Sequence, residues 1–172
     1  MQIETPRLII RQFTPQDLEA LSRLLSDSDV MRFSLSGTFS KAQTEQFLLT
    51  CIQAYHEIRF GQYALVLKES NQVIGFCGFF TQVLNDKEEV ELAFRLTKDF
   101  WGQGLAPEAA IACRDYAFSE LPIDRLISII DPNNTQAIRV AQKAGLKFKR
   151  KTTFNDIPVL LYSIDKDSLI PN

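Results

Sequence analysis

From Gln62 to Leu96 the chain keeps the two-residue period of strands through three segments and two short turns, and no other stretch constrains the fold as strongly. Tyr63 to Lys68 leads into a turn at Glu69-Ser70-Asn71-Gln72, and Val73 to Leu84 leads into one at Asn85-Asp86-Lys87. Glu88 to Leu96 then completes a three-strand antiparallel meander. The helical period follows. Leu105, Ala109, Ala112, Cys113 and Tyr116 share one face of a helix over Leu105 to Phe118, and a strand is predicted at Arg125 to Ile130. Strand, helix and strand in that order imply a parallel crossover, so the sheet must be mixed.

The flanks supply the covers of this sheet. Thr5 to Phe13 reads as a first strand and stops at Thr14-Pro15-Gln16-Asp17, a helix start with Pro in the first turn and an acid at the third position. Leu18, Leu21, Leu24 and Leu25 give that helix its apolar face. A second helix starts at Ser40, with Gln43 in the capping-box place and a stripe of Phe47, Leu48, Cys51, Ile52 and Tyr55. Ser34 to Thr38 between them has turn residues and no period, which predicts a mobile loop beside a binding cleft. A short helix over about Gln136 to Ala144 has Asn134 or Thr135 as its cap and Gly145 at its end. Two last strands, about Leu146 to Phe154 and Val159 to Ile164, are joined through Asn155 to Pro158. The expectation is a single domain over 1–172 of mixed α+β class, with about seven strands and about four helices on the sheet faces.

Charge and cysteine usage exclude several classes of function. The chain of 172 residues carries 21 acidic against 19 basic side chains, with no block of like charge, so neither nucleic acid nor an anionic membrane is an expected partner. Cys51, Cys77 and Cys113 are far apart, which suits reduced thiols in a cytoplasmic protein rather than a disulfide framework or a zinc site, and no metal is expected. The longest uncharged run, Ser70 to Asn85, is punctuated by Asn, Gln and Gly, and predicts no membrane span.

Two segments carry candidate chemistry. Trp101-Gly102-Gln103-Gly104-Leu105-Ala106 lies where a strand has ended and a helix begins. Glycines there allow a tight turn and close approach of a ligand, while the free N–H groups of the first helical turn suit a phosphate or pyrophosphate. A plain strand-to-helix turn is the competing reading, because no Gly-Lys-Ser/Thr follows and the third glycine of a dinucleotide fingerprint is missing. The second segment, Asp131 to Phe148, also follows a strand and opens a helix. Asn134 at its cap has an amide for its own helix or for a ligand. Both segments lie at carboxyl ends of strands on either side of one crossover, where ligands of such sheets bind.

In order and spacing, Ile74-Gly75-Phe76-Cys77-Gly78-Phe79, Glu91-Leu92-Ala93-Phe94, Phe100 to Ala109 and Asn134 to Phe148 resemble the GCN5-related N-acetyltransferases (GNAT). Together with Glu4-Thr5-Pro6-Arg7-Leu8 through Arg11, they are similar to the branch of the RimJ/RimL acetylases of ribosomal-protein N-termini. The resemblance covers nearly the whole chain and implies acetyl-CoA as co-substrate. Backbone amides of Trp101, Gly102, Gln103, Gly104, Leu105 and Ala106 would hold its pyrophosphate. Pantetheine would pair like an extra strand near Phe94, Arg95 and Leu96, and Asn134 would contact it. A β-bulge in the fourth strand and a splay between the fourth and fifth would admit the thioester.

The implied activity is transfer of acetyl to a primary amine by direct attack in a ternary complex. A protein or peptide N-terminus comes first among acceptors, with a small amine such as an aminoglycoside or polyamine, or a catalytically weak CoA-binding module, as alternatives. An α-amine with pKa about 7.8 is already roughly 15% neutral at pH 7, whereas lysine is only ~0.04% neutral. Strand alternation puts Glu89, Glu91, Ala93 and Arg95 on one side; Glu91 matches the family's glutamate and is the first candidate base, Glu89 the second. Where the family has a Tyr or Ser to protonate the thiolate, this chain has Ala141 and Ala137, which leaves Tyr162 or Tyr116 as substitutes. His56 reads as a surface residue, Cys77 and Cys113 as packing, and Phe33, Phe39 and Phe60 as acceptor-pocket candidates. Lys147, Lys149, Arg150 and Lys151 form a basic run that reads as a solvated edge or a contact for the 3'-phosphate of CoA. Oligomeric state stays open, a homodimer included.

Overall fold

The computed structural model describes residues 2–169. In chain order the elements are β1 (Gln2–Glu4), β2 (Leu8–Arg11), α1 (Leu18–Ser26), α2 (Lys41–Glu57), β3 (Gln62–Leu67), β4 (Gln72–Leu84), β5 (Lys87–Leu96), α3 (Leu105–Glu120), β6 (Arg125–Ile130), α4 (Thr135–Lys143), β7 (Lys147–Phe154) and β8 (Ile157–Asp165). One sheet runs β1-β2-β3-β4-β5-β6-β8-β7. Every neighbouring pair is antiparallel except β5 and β6, which the α3 crossover makes parallel.

The meander forms as the alternation requires, and two-residue turns make the sharp corners between β4 and β5 and between β7 and β8. Asn85 and Asp86 have φ of 51° and 61°, and Asn155 and Asp156 have 48° and 63°, the left-handed pair of a type I′ hairpin that Asn and Asp tolerate. The second turn is shorter than the sequence suggests: β8 begins at Ile157, and Pro158 sits in the strand opposite Thr153. Eight strands form where about seven were expected. Gln2–Glu4 pairs back on β2 with Ile3 opposite Ile10, and Thr5 to Arg7 makes the turn, held by Thr5 N–H donating to Leu8 O at 2.9 Å. Pro6, without an N–H, suits that turn better than a ladder.

Helices α1 and α2 cover one face of the sheet through Leu21, Leu24 and Leu25 and through Thr44, Leu48, Cys51 and Tyr55. Ser40 caps α2 in the expected capping box with Gln43. Helix α3 buries Leu105, Ala109, Ala110, Cys113 and Ala117 on the other face. Leu8, Ile10, Tyr63, Leu65, Ile74, Phe79, Leu92 and Leu126 are fully buried between these layers, each such side chain being worth about 1.5–3 kcal/mol. Arg11 grips the buried Asp17 with two parallel hydrogen bonds of 2.8 Å, tying β2 to the start of α1. All three cysteines are buried and unpaired, and His56 is exposed. Among the described residues no helix is long and apolar enough to cross a membrane.

Candidate functional site

The sheet opens where β5 and β6 part. Their only register pair is Glu91 opposite Ile127, so β6 makes no ladder pair with Ala93 to Leu96. Side chains brace the gap instead. Ser128 Oγ donates to the carbonyl of Leu92 at 2.7 Å, and Ile129 N–H donates to Glu91 Oε1 at 3.2 Å. On its other side β5 stays zipped to β4 without interruption from Gly75 opposite Leu96 to Leu84 opposite Lys87. The splay is therefore present, but the bulge expected in this strand is not. The register shifts of the sheet lie elsewhere, at Leu65/Val66 in β3 and Phe148/Arg150 in β7.

A cleft of about 750 Å³ fills the splay, and most of the residues singled out in the sequence converge on it. Glu91, Phe94, Arg95 and Leu96 come from β5, Trp101, Gly102, Gly104, Leu105 and Ala106 from the loop and the start of α3, and Asn134 from the start of α4. Gln103 alone of the loop is not on the lining; its amide donates to Asp99 O at 3.0 Å.

The loop owes its shape to two left-handed glycines, Gly102 with φ 72° and Gly104 with φ 79°. Its side chains are spent on holding it. Trp101 Nε1 donates to Leu96 O at 2.8 Å, and Arg7 Nη1 donates to Gln103 O at 2.7 Å. Glu108, one turn into α3, accepts from Arg7 Nε at 2.7 Å, Arg7 N–H at 2.9 Å and Thr5 Oγ1 at 2.6 Å. The turn between β1 and β2 thus clamps the start of α3. Within that first turn Pro107 has no N–H and Glu108 N–H is taken by Gly104 O, which leaves the amides of Leu105 and Ala106 for an anion. At α4, Asn134 Oδ1 accepts Ala137 N–H at 3.1 Å, so the cap uses the carbonyl end and leaves the Nδ2 donors.

Glu91 sits half-buried at the fork between this cleft and a second cavity of about 310 Å³ on the α1–α2 side. Burial pushes its carboxyl above the ordinary glutamate value, against the hydrogen bonds from Gln82 Nε2 (2.9 Å) and Ile129 N–H and the charge of Arg95. Burial likewise presses the Arg95 guanidinium downward, against the charge of Glu91, and its Nη1 contacts Met31 Sδ. Glu89, the second candidate, is ion-paired at 3.2 Å to both Lys87 and Arg125 and lines neither cavity.

Position separates the remaining candidates. Ala137 lines the cleft, Ala141 is buried, and neither Tyr116 nor Tyr162 reaches the lining, so no tyrosine substitutes for a thiolate acid. The basic run at Lys147 to Lys151 lies exposed on the edge strand β7, away from the cleft. Arg139 and Lys143, one turn apart on α4, line it instead; the sequence signal was their spacing after Asn134. Phe33 and Phe39 line the smaller cavity, together with Ser34, Leu35 and Ser36 of the loop, whereas Phe60 packs edge-on against Phe79 in the core. Free amides at one helix start, basic side chains on the next helix and an unpaired strand edge between them fit a ligand with a diphosphate and a long amide-bearing arm.

Residues 7–147 match the family model described as the Acetyltransferase (GNAT) domain. Protein YkkB of Bacillus subtilis is 30% identical over 94% of each chain. The crystal structure of a GNAT-family acetyltransferase from Bacillus anthracis shares 26% identity and superposes with a TM-score of 0.83, covering 97% of this chain and 99% of that one. RimL, a ribosomal L7/L12 α-N-protein acetyltransferase solved in complex with coenzyme A, shares the fold at 17% identity and a TM-score of 0.81 over 96% of this chain and 98% of its own.

Proposed function

The chain belongs to the GNAT acetyltransferase family, and from that premise we propose that it is a single acetyltransferase domain over 1–172 that moves the acetyl group of acetyl-CoA to a primary α-amine, foremost at the N-terminus of a peptide. The observation that carries the reading is the splay: β5 offers Ala93 to Leu96 an unpaired edge that leads from the amides of Leu105 and Ala106 to Glu91. In this reading the diphosphate lies on those amides with Arg139 and Lys143 nearby, and the pantetheine arm runs along Phe94 to Leu96 past Asn134. The opening segment Glu4 to Arg11 supports a place near the RimJ/RimL branch, and reduced buried thiols support a cytoplasmic setting.

The neutral amine attacks the thioester carbonyl, the C–S bond breaks, and the amine's extra proton passes to Glu91 or to water. An upward-shifted carboxyl suits that task, because a base works best with its pKa near the working pH. The thiolate leaves without a dedicated acid, since a thiol of pKa about 8.5 is a fair leaving group by itself. Ala137 in the cleft, where an acid would be useful, is what favours the second reading of a CoA-binding module with weak transfer.

Thiol release from acetyl-CoA, followed with a panel of peptides and small amines, separates the two. Turnover with α-amines is the expected result. Tight CoA binding without turnover of any acceptor would refute the enzyme reading.

A further inference from the structure

The cavity on the α1–α2 side of Glu91 has a composition of its own. Phe39, Phe47, Phe76, Phe80, Phe154 and Val159 stand together in its wall. Phe47 is the hub, with ring centroids 6.2 Å from Phe39, 5.6 Å from Phe76 and 6.3 Å from Phe80. Two of the large apolar side chains that the described surface exposes, Leu35 at 52% and Ile157 at 39%, stand on this lining from different segments, one on the α1–α2 loop and one at the start of β8. Only three ionisable groups line it: Glu91, Arg95 and Asp131. With both carboxylates ionised the net charge is one negative, and with Glu91 protonated it is zero.

We infer that the acceptor is a singly charged amine carried on one large apolar body, such as a peptide whose first residue is Leu, Met or Phe. The inference rests on the acetyl-transfer reading above and adds to it the nature of the acceptor. Size, wall and charge each point the same way. At about 30 Å³ of liquid volume per water molecule, 310 Å³ has room for roughly ten waters, space that one large apolar residue with its amine can fill. The phenylalanine wall rewards burial of that body in proportion to its apolar area. One net negative charge balances one ammonium group, and the Arg95 guanidinium opposes a second. A polyamine or an aminoglycoside, with several ammonium groups and no apolar body, finds too few carboxylates and gains nothing from the wall.

The test compares kcat/KM for short peptides differing only in the first residue (Gly, Ala, Ser, Leu, Met, Phe, Lys), with spermidine and kanamycin alongside. Complete burial of a large side chain predicts a preference of about 10- to 100-fold for Leu, Met or Phe over Ala. Phe80→Ala and Phe39→Ala should each reduce that preference several-fold while leaving the dissociation constant of CoA unchanged, which also shows that the variants fold. A flat first-residue profile, or faster turnover of spermidine or kanamycin, would overturn the inference and leave the acetyltransferase reading standing. No turnover of any acceptor by a protein that binds CoA would overturn both.

Discussion

Gly104 offers the sharpest test of the loop at the start of α3, because its environment separates backbone strain from charge. The residue sits at φ 79°, and a Cβ built there meets nothing nearer than Arg7 Nη2 at 3.5 Å. Space is therefore available, and Gly104→Ala pays only for the left-handed backbone, about 1–2 kcal/mol, or a fall in Tm of about 2–8 °C. Gly104→Gln has the same strain with more bulk, and Gly104→Glu adds one negative charge to an otherwise similar shape. If a diphosphate lies on the amides of Leu105 and Ala106, that charge stands at about 6 Å from it. At an effective dielectric constant of about 40, each pair of charges then costs about 1.4 kcal/mol, and two phosphate charges about 2.8 kcal/mol, a factor of ~100. Calorimetric titration of CoA into all three variants reads the effect as the ratio of the Glu to the Gln dissociation constant. Raising the salt to 1 M, where the screening length falls to about 3 Å, should bring that ratio towards one. A folded Gly104→Glu protein that binds CoA as Gly104→Gln does at low salt would place the diphosphate elsewhere and refute the reasoning.

Three further outcomes follow from the same geometry. Glu91→Gln should abolish the acid limb of the pH–rate profile. Because burial raises this carboxyl, the contribution of Glu91 to stability is greatest at low pH and declines as pH rises through the raised value; the variant should therefore gain Tm over wild type at pH 8 and lose that gain below about pH 4, as thermal melts across pH would read. Asp17 behaves oppositely. Burial works to raise it, but Arg11 and the Thr14 amide outweigh burial and hold it below its ordinary value, so its contribution is present above about pH 4 and is lost as pH falls further; Asp17→Asn should cost about 2 kcal/mol at pH 7, about 4–8 °C in Tm, shrinking in acid. Arg7→Lys should raise KM for acetyl-CoA about 3- to 10-fold with kcat retained, since a lysine cannot hold Glu108 and the Gln103 carbonyl together, and an unchanged KM would remove the clamp from the binding loop.

The parts of the fold visible in the sequence are those in which local chemistry and global packing agree. The Ser40–Gln43 capping box, the left-handed glycines at 102 and 104 and the alternation through β4 and β5 each have a local physical cause, and each forms as expected. The misses depend on partners distant in sequence. Nothing local announces that Gln2–Glu4 pairs back on Leu8–Arg11, nor that Glu89 is consumed by Arg125 from the far side of the crossover while Glu91, two residues on, meets the amide of Ile129. Strand alternation placed both glutamates on one face but had no means of choosing between them. Spacing puts Arg139 and Lys143 on one side of α4, but only the direction in which that short amphipathic helix leaves β6 decides that this side faces the cleft. The basic run at 147–151 is the solvated edge that one of its two readings predicts, and its charge keeps that edge from pairing with other chains.

In the proposed reaction one carboxylate joins fold and chemistry. A parallel pair that had to stay open for a ligand loses ladder hydrogen bonds, and the lost bonds must be replaced or the strands will close or drift apart. Ser128 replaces one by donating to Leu92 O, and Glu91 replaces another by accepting from Ile129 N–H. Glu91 is consequently fixed at the fork of the two cavities by the same bond that holds the fork open, and Gln82 fixes its other oxygen. In the proposed reaction a base so held would need no reorganisation when an amine arrived between it and the thioester, which is the advantage of preorganised groups over mobile ones. It also sits where burial raises its proton affinity, so the cost of leaving a carboxylate poorly solvated would be relieved if, as proposed, the reaction delivers a proton to it. That is a physical reason for the structural brace and the proposed proton acceptor to be the same side chain.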